Sequence, residues 1–173
     1  MNTLVKILHA FKAPIPLLDR ILEIIALVFL IGTLVFTAYL YQHAPEQVVI
    51  KYGLEGEPIK CAEKIVFWLI AIFFGIMMLV SAGSAYDVNL KIVHVRFPIK
   101  EQVKAIQHRL VNRMSRCVTI CIGLMWLAYL LHTSASFLNI PGYVVALSKG
   151  SLLLMLLVIV YYSFRIWHVG RKY

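Results

Sequence analysis

The sequence carries little charge for its length, and acidic residues are especially scarce. Only 8 Asp and Glu residues occur among 173, and all charged residues together make up 14% of the chain. Soluble domains are usually about 25% charged and about 45–50% apolar, whereas this chain is 61% hydrophobic. Because a water-soluble fold of this size could not bury such an excess of apolar surface, the composition excludes an ordinary soluble domain.

Motifs for catalysis and metal binding are missing as well. The chain contains no HExxH, CxxC or GxSxG pattern, and its 3 cysteines do not form a disulfide framework. The sequence therefore predicts no enzyme, no cofactor and no metal site. A metal held by His43, His132 and Glu46 near the outer ends of two spans is the alternative, because imidazole and carboxylate groups suit such a site. Nothing in the sequence indicates a nucleic-acid-binding module.

Four apolar runs are long enough to cross a membrane as helices. Their approximate ranges are residues 22–41, 65–86, 117–137 and 146–167. The runs are solidly apolar and do not alternate with period two, so they are typical of helices and not of barrel strands. The sequence therefore predicts an all-α integral membrane protein, with residues 1–173 forming a single membrane domain.

Lysine and arginine are distributed very unequally between the two sides that four spans define. Thirteen of the 17 fall before the first span, between the second and third, or at the end of the fourth. The other side receives Lys51, Lys60, Lys64 and Lys149. Because positive residues concentrate in cytoplasmic segments, we expect both termini to be cytoplasmic and the protein to lie in the cell (inner or plasma) membrane.

The segment before the third span has the pattern of a basic amphipathic helix over residues 98–116. Apolar residues recur there at steps of three or four, and basic residues fall mostly on the opposite side. Such a helix is expected to lie on an anionic lipid leaflet, although docking of a cytoplasmic partner is an alternative. The predicted lipid-facing basic residues are Lys100, Lys104, Arg109, Arg113 and Arg116.

The inner parts of the four predicted spans carry no ionisable residue, which argues against a carrier or a proton relay. Hydroxyl groups such as those of Thr33 and Thr37 can bond to helix carbonyls or to neighbouring helices. Arg20 and Glu23 are three residues apart at the start of the first span, so they can pair with each other.

The outer loop, residues 42–64, is too long and too patterned for a slack connector. Pro45 ends the first helix, and residues 48–52 alternate as in a short strand. Glycine and proline at positions 53, 56 and 58 then favour a turn. We therefore expect an ordered cap, with room for a short β segment. Lys149, at the start of the fourth span, either extends toward water or reaches Glu55, Glu57 or Glu63.

The spacing of this loop resembles the signature of the domain of unknown function 1648 family. The matching positions are Pro45, Val48, Ile50, Tyr52, Gly56, Pro58 and Lys64. The sequence departs from the family pattern at Val49, Lys51 and Ile59, where proline, histidine and aspartate are usual. The resemblance covers residues 20–140 in outline. The segment before the third span also resembles the same stretch in small four-span members of the family. The resemblance implies a bacterial-type multi-pass protein, distantly related to the sporulation-delaying toxin immunity protein.

Two functions follow as expectations. The first is a binding, immunity-like or signal-receiving module whose outer loop recognises an extracellular peptide or a membrane-protein partner. The second is an accessory structural subunit of a membrane transporter or envelope complex. The residues predicted to bind the ligand or partner are Pro45, Lys51, Tyr52, Gly56, Glu57, Pro58, Lys64 and Lys149. Membrane lipids are expected partners in either case, and the sequence does not indicate an oligomeric state.

Overall fold

The computed structural model describes residues 16–52, 58–86, 104–138 and 143–172. Four helices and one hairpin follow in the order α1 (Leu17–His43), β1 (Gln47–Tyr52), β2 (Pro58–Glu63), α2 (Val66–Ser84), α3 (Lys104–Leu138) and α4 (Tyr143–Lys172). Each helix contains a stretch long and apolar enough to span a membrane. The prediction of a helical membrane protein with four spans is therefore confirmed.

Helix α1 has sharply defined ends. Pro16 precedes its first residue with extended backbone angles, and Asp19 lies in the first turn, where a negative charge interacts favourably with the helix dipole. At the other end Ala44 is extended, and its N–H donates to the carbonyl of Leu40 at 2.8 Å. Pro45 explains this end, because the residue before a proline disfavours helical angles.

The outer loop folds into an antiparallel hairpin of β1 and β2. Gln47 pairs with Glu63 at its base, and the register shifts on both sides of Lys51. The amide of Lys64 also donates to the carbonyl of Glu46 at 3.1 Å, which closes the base of the hairpin against α2. The predicted ordered cap is thus present with a second strand that the sequence pattern did not indicate, while residues 53–57 lie outside the described part.

Helix α3 is the central helix of the bundle, because it contacts α1, α2, α4 and also β1. It is continuous from Lys104 to Leu138. The predicted amphipathic helix over residues 98–116 and the third span are therefore one continuous helix in the described part, where residues 104–116 form the first turns of α3. The physical reason is that no glycine or proline interrupts the chain between Lys104 and Ile122.

The main core lies between α1, α2, α3 and β1. Trp126 of α3 is fully buried and stacks on Phe74 of α2 at 6.3 Å between ring centroids. Val48 of β1 belongs to the same cluster of buried residues as Leu40 and Phe67. The hairpin is therefore packed onto the hydrophobic core and does not hang from the helix ends.

Large apolar side chains cover the outer faces of α1, α2 and α4. In a bilayer these faces contact lipid, which is as apolar as they are. The two threonines inside α1 bond within the helix, as expected. The hydroxyl of Thr33 donates to the carbonyl of Phe29 at 2.6 Å and that of Thr37 to Thr33 at 2.7 Å.

Gly123 of α3 marks the closest packing among three helices. A Cβ atom at this position would lie 3.0 Å from the Cβ of Phe29 on α1 and 3.3 Å from the Cε of Met78 on α2. Gly75 of α2 has no such neighbour within 4 Å. The absence of a side chain at Gly123 therefore sets how near α3 approaches α1 and α2.

We expect Gly123→Leu to lower the free energy of unfolding by about 1–3 kcal/mol, the usual cost of overpacking a core. The matched variant Gly75→Leu places the same side chain in open space and should leave stability nearly unchanged. Unfolding by SDS titration in mixed micelles, followed by circular dichroism, measures both. Equal losses in the two variants would contradict the packing described for Gly123.

Candidate functional site

Five polar residues from three helices meet at the end of the bundle opposite the hairpin. We call them the ion-pair network: Asp19, Glu23, Tyr86, Arg113 and Arg116. Asp19 is almost fully buried, with 2% of its surface exposed. It accepts a hydrogen bond from Arg113 Nε at 2.8 Å, and its other carboxylate oxygen lies 3.9 Å from Arg116 NH1. One buried carboxylate on α1 therefore interacts with two guanidinium groups of α3.

Glu23 holds the second half of the network. Its Oε1 atom accepts hydrogen bonds from Arg116 Nε at 2.8 Å and from the Tyr86 hydroxyl at 2.5 Å. The guanidinium of Arg116 also lies 5.5 Å from the centroid of the Tyr86 ring, within the range of a cation–π contact. Two arginines face two carboxylates, so the network is formally neutral.

A group of hydroxyls continues the polar contacts from the network along α2 and α3. The hydroxyls of Ser84 and Ser115 contact each other, and that of Ser115 donates to the carbonyl of Ser81 at 2.6 Å. Thr119 donates to the hydroxyl of Ser81 at 3.0 Å. Small hydroxyl residues allow two helices to approach closely and bond across a membrane interface, which explains why this group joins α2 to α3.

The network lies at the edge of the hydrocarbon layer. At about 1.5 Å per residue, the 27 residues of α1 measure about 40 Å, which exceeds a hydrocarbon thickness of about 30 Å. With α1 centred in the bilayer, Glu23 lies about 10 Å from the midplane and Asp19 about 16 Å. Unpaired charges at such depths are costly, so the mutual pairing is what makes them tolerable.

Tyr86 follows α2, beyond its span, and its hydroxyl is held protonated. Burial raises the pKa of Tyr86 above its ordinary value of 10.0, and the hydrogen bond and negative charge of Glu23 raise it further. The nearby Arg116 acts in the opposite direction but does not outweigh these effects. Tyr86 therefore acts as a hydrogen-bond donor to Glu23 at neutral pH.

Two sequence-based predictions about these residues are wrong, and one ion pair that the sequence allowed is not formed. Arg116 does not face lipid, because its side chain is only 8% exposed and lies against Asp19 and Glu23. Arg113 likewise turns to Asp19. Glu23 pairs with Arg116 and not with its neighbour Arg20, which is exposed. The charges of the network lie at or outside the ends of the predicted spans, so the expectation for the inner parts of the spans is unchanged.

The other residues predicted to face lipid are Lys100, Lys104 and Arg109. Arg109 is exposed, in keeping with a position at the membrane surface. Lys100 lies outside the described residues, and the side chain of Lys104 is likewise not described. The apolar residues Leu110 and Val111 of this segment pack against Ile166 of α4. Leu110, on the predicted apolar side, thus packs between helices, whereas Ile106 on the same side is 50% exposed.

A cavity of about 230 Å³ opens beside the network, between α1 and α2 with α3 at its back. We call it the α1–α2 groove. Glu23, Tyr86 and Arg116 line it at the level of the network, and Leu30, Met78 and Leu79 line it deeper in the bundle. The groove therefore runs from a polar level near the membrane surface into the hydrocarbon.

The hairpin is the site that the sequence predicted, and the structure describes part of it. Lys51, Ile59, Lys60 and Cys61 are exposed on the strands, and Pro45 is exposed at the start of the cap. Lys64 Nζ lies 3.3 Å from Glu46 Oε1 and 5.6 Å from the centroid of the Tyr41 ring. Gly56, Glu57 and the side chains of Tyr52, Pro58 and Lys149 fall outside the described part, as does any contact of Lys149 with Glu55 or Glu57.

The described residues hold no group of three His, Cys, Asp or Glu side chains that could bind a metal ion. His43, one member of the alternative metal site, instead stacks on Tyr39 with ring centroids 4.2 Å apart. Its Nδ1 atom lies 2.9 Å from the Tyr39 carbonyl oxygen. The geometry around His43 is therefore that of an aromatic contact within the last turn of α1.

The network was missed because its members are far apart in the sequence and each has an ordinary local explanation. Asp19 suits a helix start, and arginine before a span suits the positive-inside rule. One signal was available: four charged residues near the ends of two apolar runs balance in sign. Matching their depths along α1 and α3 would have suggested the pairing.

We expect Arg116→Gln to lower the free energy of unfolding by about 3–5 kcal/mol, because it leaves the carboxylate of Glu23 without its guanidinium partner and weakens the balance at Asp19. Arg109→Gln removes an exposed arginine about two helical turns from Arg116. This substitution should cost no more than about 0.5 kcal/mol. SDS titration of both variants measures the difference. A comparable small loss in both would contradict the role of the network in stability.

Comparison with known proteins yields one match. No curated protein and no solved structure matches the chain. The segment that matches a family model, residues 28–78, extends from the middle of α1 through the hairpin to Met78 of α2. It is shorter than the range over which the resemblance was predicted, residues 20–140. The predicted family resemblance is confirmed for that segment: residues 28–78 match the family model of a domain of unknown function, DUF1648.

Proposed function

We propose that this protein is a binding module of the cell membrane whose hairpin receives an extracellular peptide or a membrane-protein partner. The observation that carries the proposal is the packing of the hairpin onto the helix bundle. Val48 is buried in the main core, while Lys51, Ile59, Lys60 and Cys61 remain exposed. A rigid platform with exposed side chains loses little conformational entropy on binding, which favours affinity.

The orientation in this proposal places the hairpin outside and both termini in the cytoplasm. The support is the distribution of positive charge: 13 of the 17 lysines and arginines belong to the side that carries the network, as the positive-inside rule requires. Exposed arginines at that end include Arg20, Arg109 and Arg171. On this orientation the network lies in the cytoplasmic leaflet.

An immunity-like or signal-receiving role is the specific form of binding that we favour. The segment matching DUF1648 is residues 28–78, and the hairpin lies in its middle. In the proposed role the hairpin would meet a secreted toxic peptide or a signal at the outer surface. Binding needs no nucleophile or cofactor, so we propose no enzymatic activity.

An accessory subunit of a transporter or envelope complex is the second candidate. The observation that favours it is the packing of α4, which rests on α3 while most of its apolar residues, such as Leu153, Leu157 and Val160, stay exposed. A larger partner in the membrane would cover that face. Gentle detergent extraction followed by mass spectrometry discriminates the two, since a constant stoichiometric partner favours the subunit.

The proposed orientation predicts that Cys61 reacts from outside the cell. Cys61 is exposed on β2, whereas Cys121 is buried and Cys117 is half-buried. A membrane-impermeant maleimide should therefore label intact cells or spheroplasts expressing the wild-type chain, and Cys61→Ser should abolish the labelling. Labelling that appears only after the membrane is permeabilised would overturn this orientation.

The binding proposal predicts a role for the exposed hairpin lysines. A deletion strain grown with its parent strain should lose viability if the protein protects against a secreted peptide, and the wild-type gene should restore survival. We expect Lys51→Glu combined with Lys60→Glu to remove protection, because reversing two exposed charges changes the recognition surface. Arg109→Gln, exposed at the other end, should protect normally.

Membrane insertion of each variant is checked by immunoblotting of the membrane fraction. If the doubly substituted hairpin inserts at wild-type levels and protects fully, the hairpin is not the recognition surface. If the deletion strain survives with its parent strain, the immunity form of the proposal fails.

A further inference from the structure

The α1–α2 groove is not explained by the proposed binding of a ligand at the hairpin. It lies at the opposite end of the bundle and is formed where Leu27 and Leu30 of α1 face Leu79 and Ala82 of α2. Its walls are apolar apart from Thr119 and the network residues at its polar level. A gap of this kind, left empty, forfeits the dispersion contacts that its lining atoms could make.

In a bilayer the neighbouring molecule able to fill such a groove is a lipid chain. The groove runs from the level of Glu23 to that of Leu30, about 10 Å along α1. This direction is the one in which an acyl chain descends from the head-group level. Leu27 and Leu79 line the groove and are also largely exposed, so a chain could enter sideways between the two helices.

Arg20 provides a charge at the mouth of the groove. It lies three residues before Glu23 and seven before Leu27, so the three share one face of α1, and both Glu23 and Leu27 line the groove. Arg20 is one turn nearer the membrane surface and exposed. Among the described residues it makes no ion pair, whereas Arg116 in the groove wall is balanced by Asp19 and Glu23.

We propose that the α1–α2 groove binds one phospholipid with an anionic head group, its acyl chain lying between α1 and α2 and its phosphate on Arg20. The network forms the polar end of the groove, so the head group lies at the level of the network. Because the network is formally neutral, it does not itself attract an anion. The preference for an anionic lipid then comes from Arg20 and the groove itself supplies the apolar contact. This inference stands independently of the hairpin's role.

The test uses the full chain reconstituted with equimolar phosphatidylglycerol and phosphatidylcholine of identical acyl chains. Native mass spectrometry after release from the bilayer counts the lipids retained per chain. We expect one retained lipid, with phosphatidylglycerol favoured about fivefold, which is the preference that one basic residue near the surface supports. Adding inorganic phosphate should not displace it, because phosphate lacks the acyl chain.

Two substitutions test the contact with the acyl chain and the contact with the head group independently. Ala82→Phe fills the groove and should abolish retention, whereas Leu157→Phe on the exposed face of α4 should not. Arg20→Gln should keep the retained lipid but lose the preference for phosphatidylglycerol, whereas Arg109→Gln should keep both. If Ala82→Phe fails to fold by circular dichroism, Ala26→Phe fills the same groove from α1.

The results that would overturn the inference are equally specific. Equal lipid retention by the groove-filling variant and by Leu157→Phe shows that the retained lipid binds elsewhere. An unchanged phosphatidylglycerol preference in Arg20→Gln removes the proposed phosphate contact. Complete displacement by inorganic phosphate indicates that an anion binds without its acyl chain.

Discussion

Arg116 lies between two carboxylates of α1, and the relative position of the helices depends on that contact. Its Nε atom donates to Glu23 at 2.8 Å, and NH1 lies 3.9 Å from Asp19. At the edge of the hydrocarbon a displaced partner would leave a charge without compensation. The ion pairs therefore fix how far α1 can slide along α3, and Tyr86 ties the end of α2 to the same position.

Between that contact and the hairpin, the helices are held together by apolar packing. Gly123 brings α3 close to Phe29 of α1 and Met78 of α2, and Trp126 fills the core one turn further on. The core then continues through Leu40 to Val48 of β1. One continuous set of contacts thus connects the charged end of the bundle to the hairpin, although the two ends differ completely in chemistry.

This difference suggests a division of roles between the two ends. The segment that matches DUF1648, residues 28–78, contains the hairpin and none of the five residues of the ion-pair network. The hairpin has exposed side chains on a strand packed into the core through Val48, which is what the proposed recognition surface requires. The network and the groove beside it instead relate the protein to its own bilayer, one by balancing buried charges and the other by offering space to a lipid chain.

Local patterns in the sequence were sufficient to predict a membrane protein, its four spans, the end of α1 before Pro45 and the strand β1. Each follows from a local property: run length, a missing amide proton or a period of two. The sequence did not reveal β2, because the segment Pro58–Glu63 does not alternate clearly between apolar and polar residues.

The partner of each charge and of each apolar face became clear from the packing of the helices, not from the sequence. A helical period identifies an apolar side of a helix but does not distinguish lipid from a neighbouring helix, because both are apolar. For that reason the apolar side of residues 98–116 was assigned to lipid although Leu110 packs on α4, and Arg116 was placed at the surface although it is buried. Ion pairs such as Arg116–Glu23 join residues 93 positions apart, and only the folded arrangement of the helices brings them together.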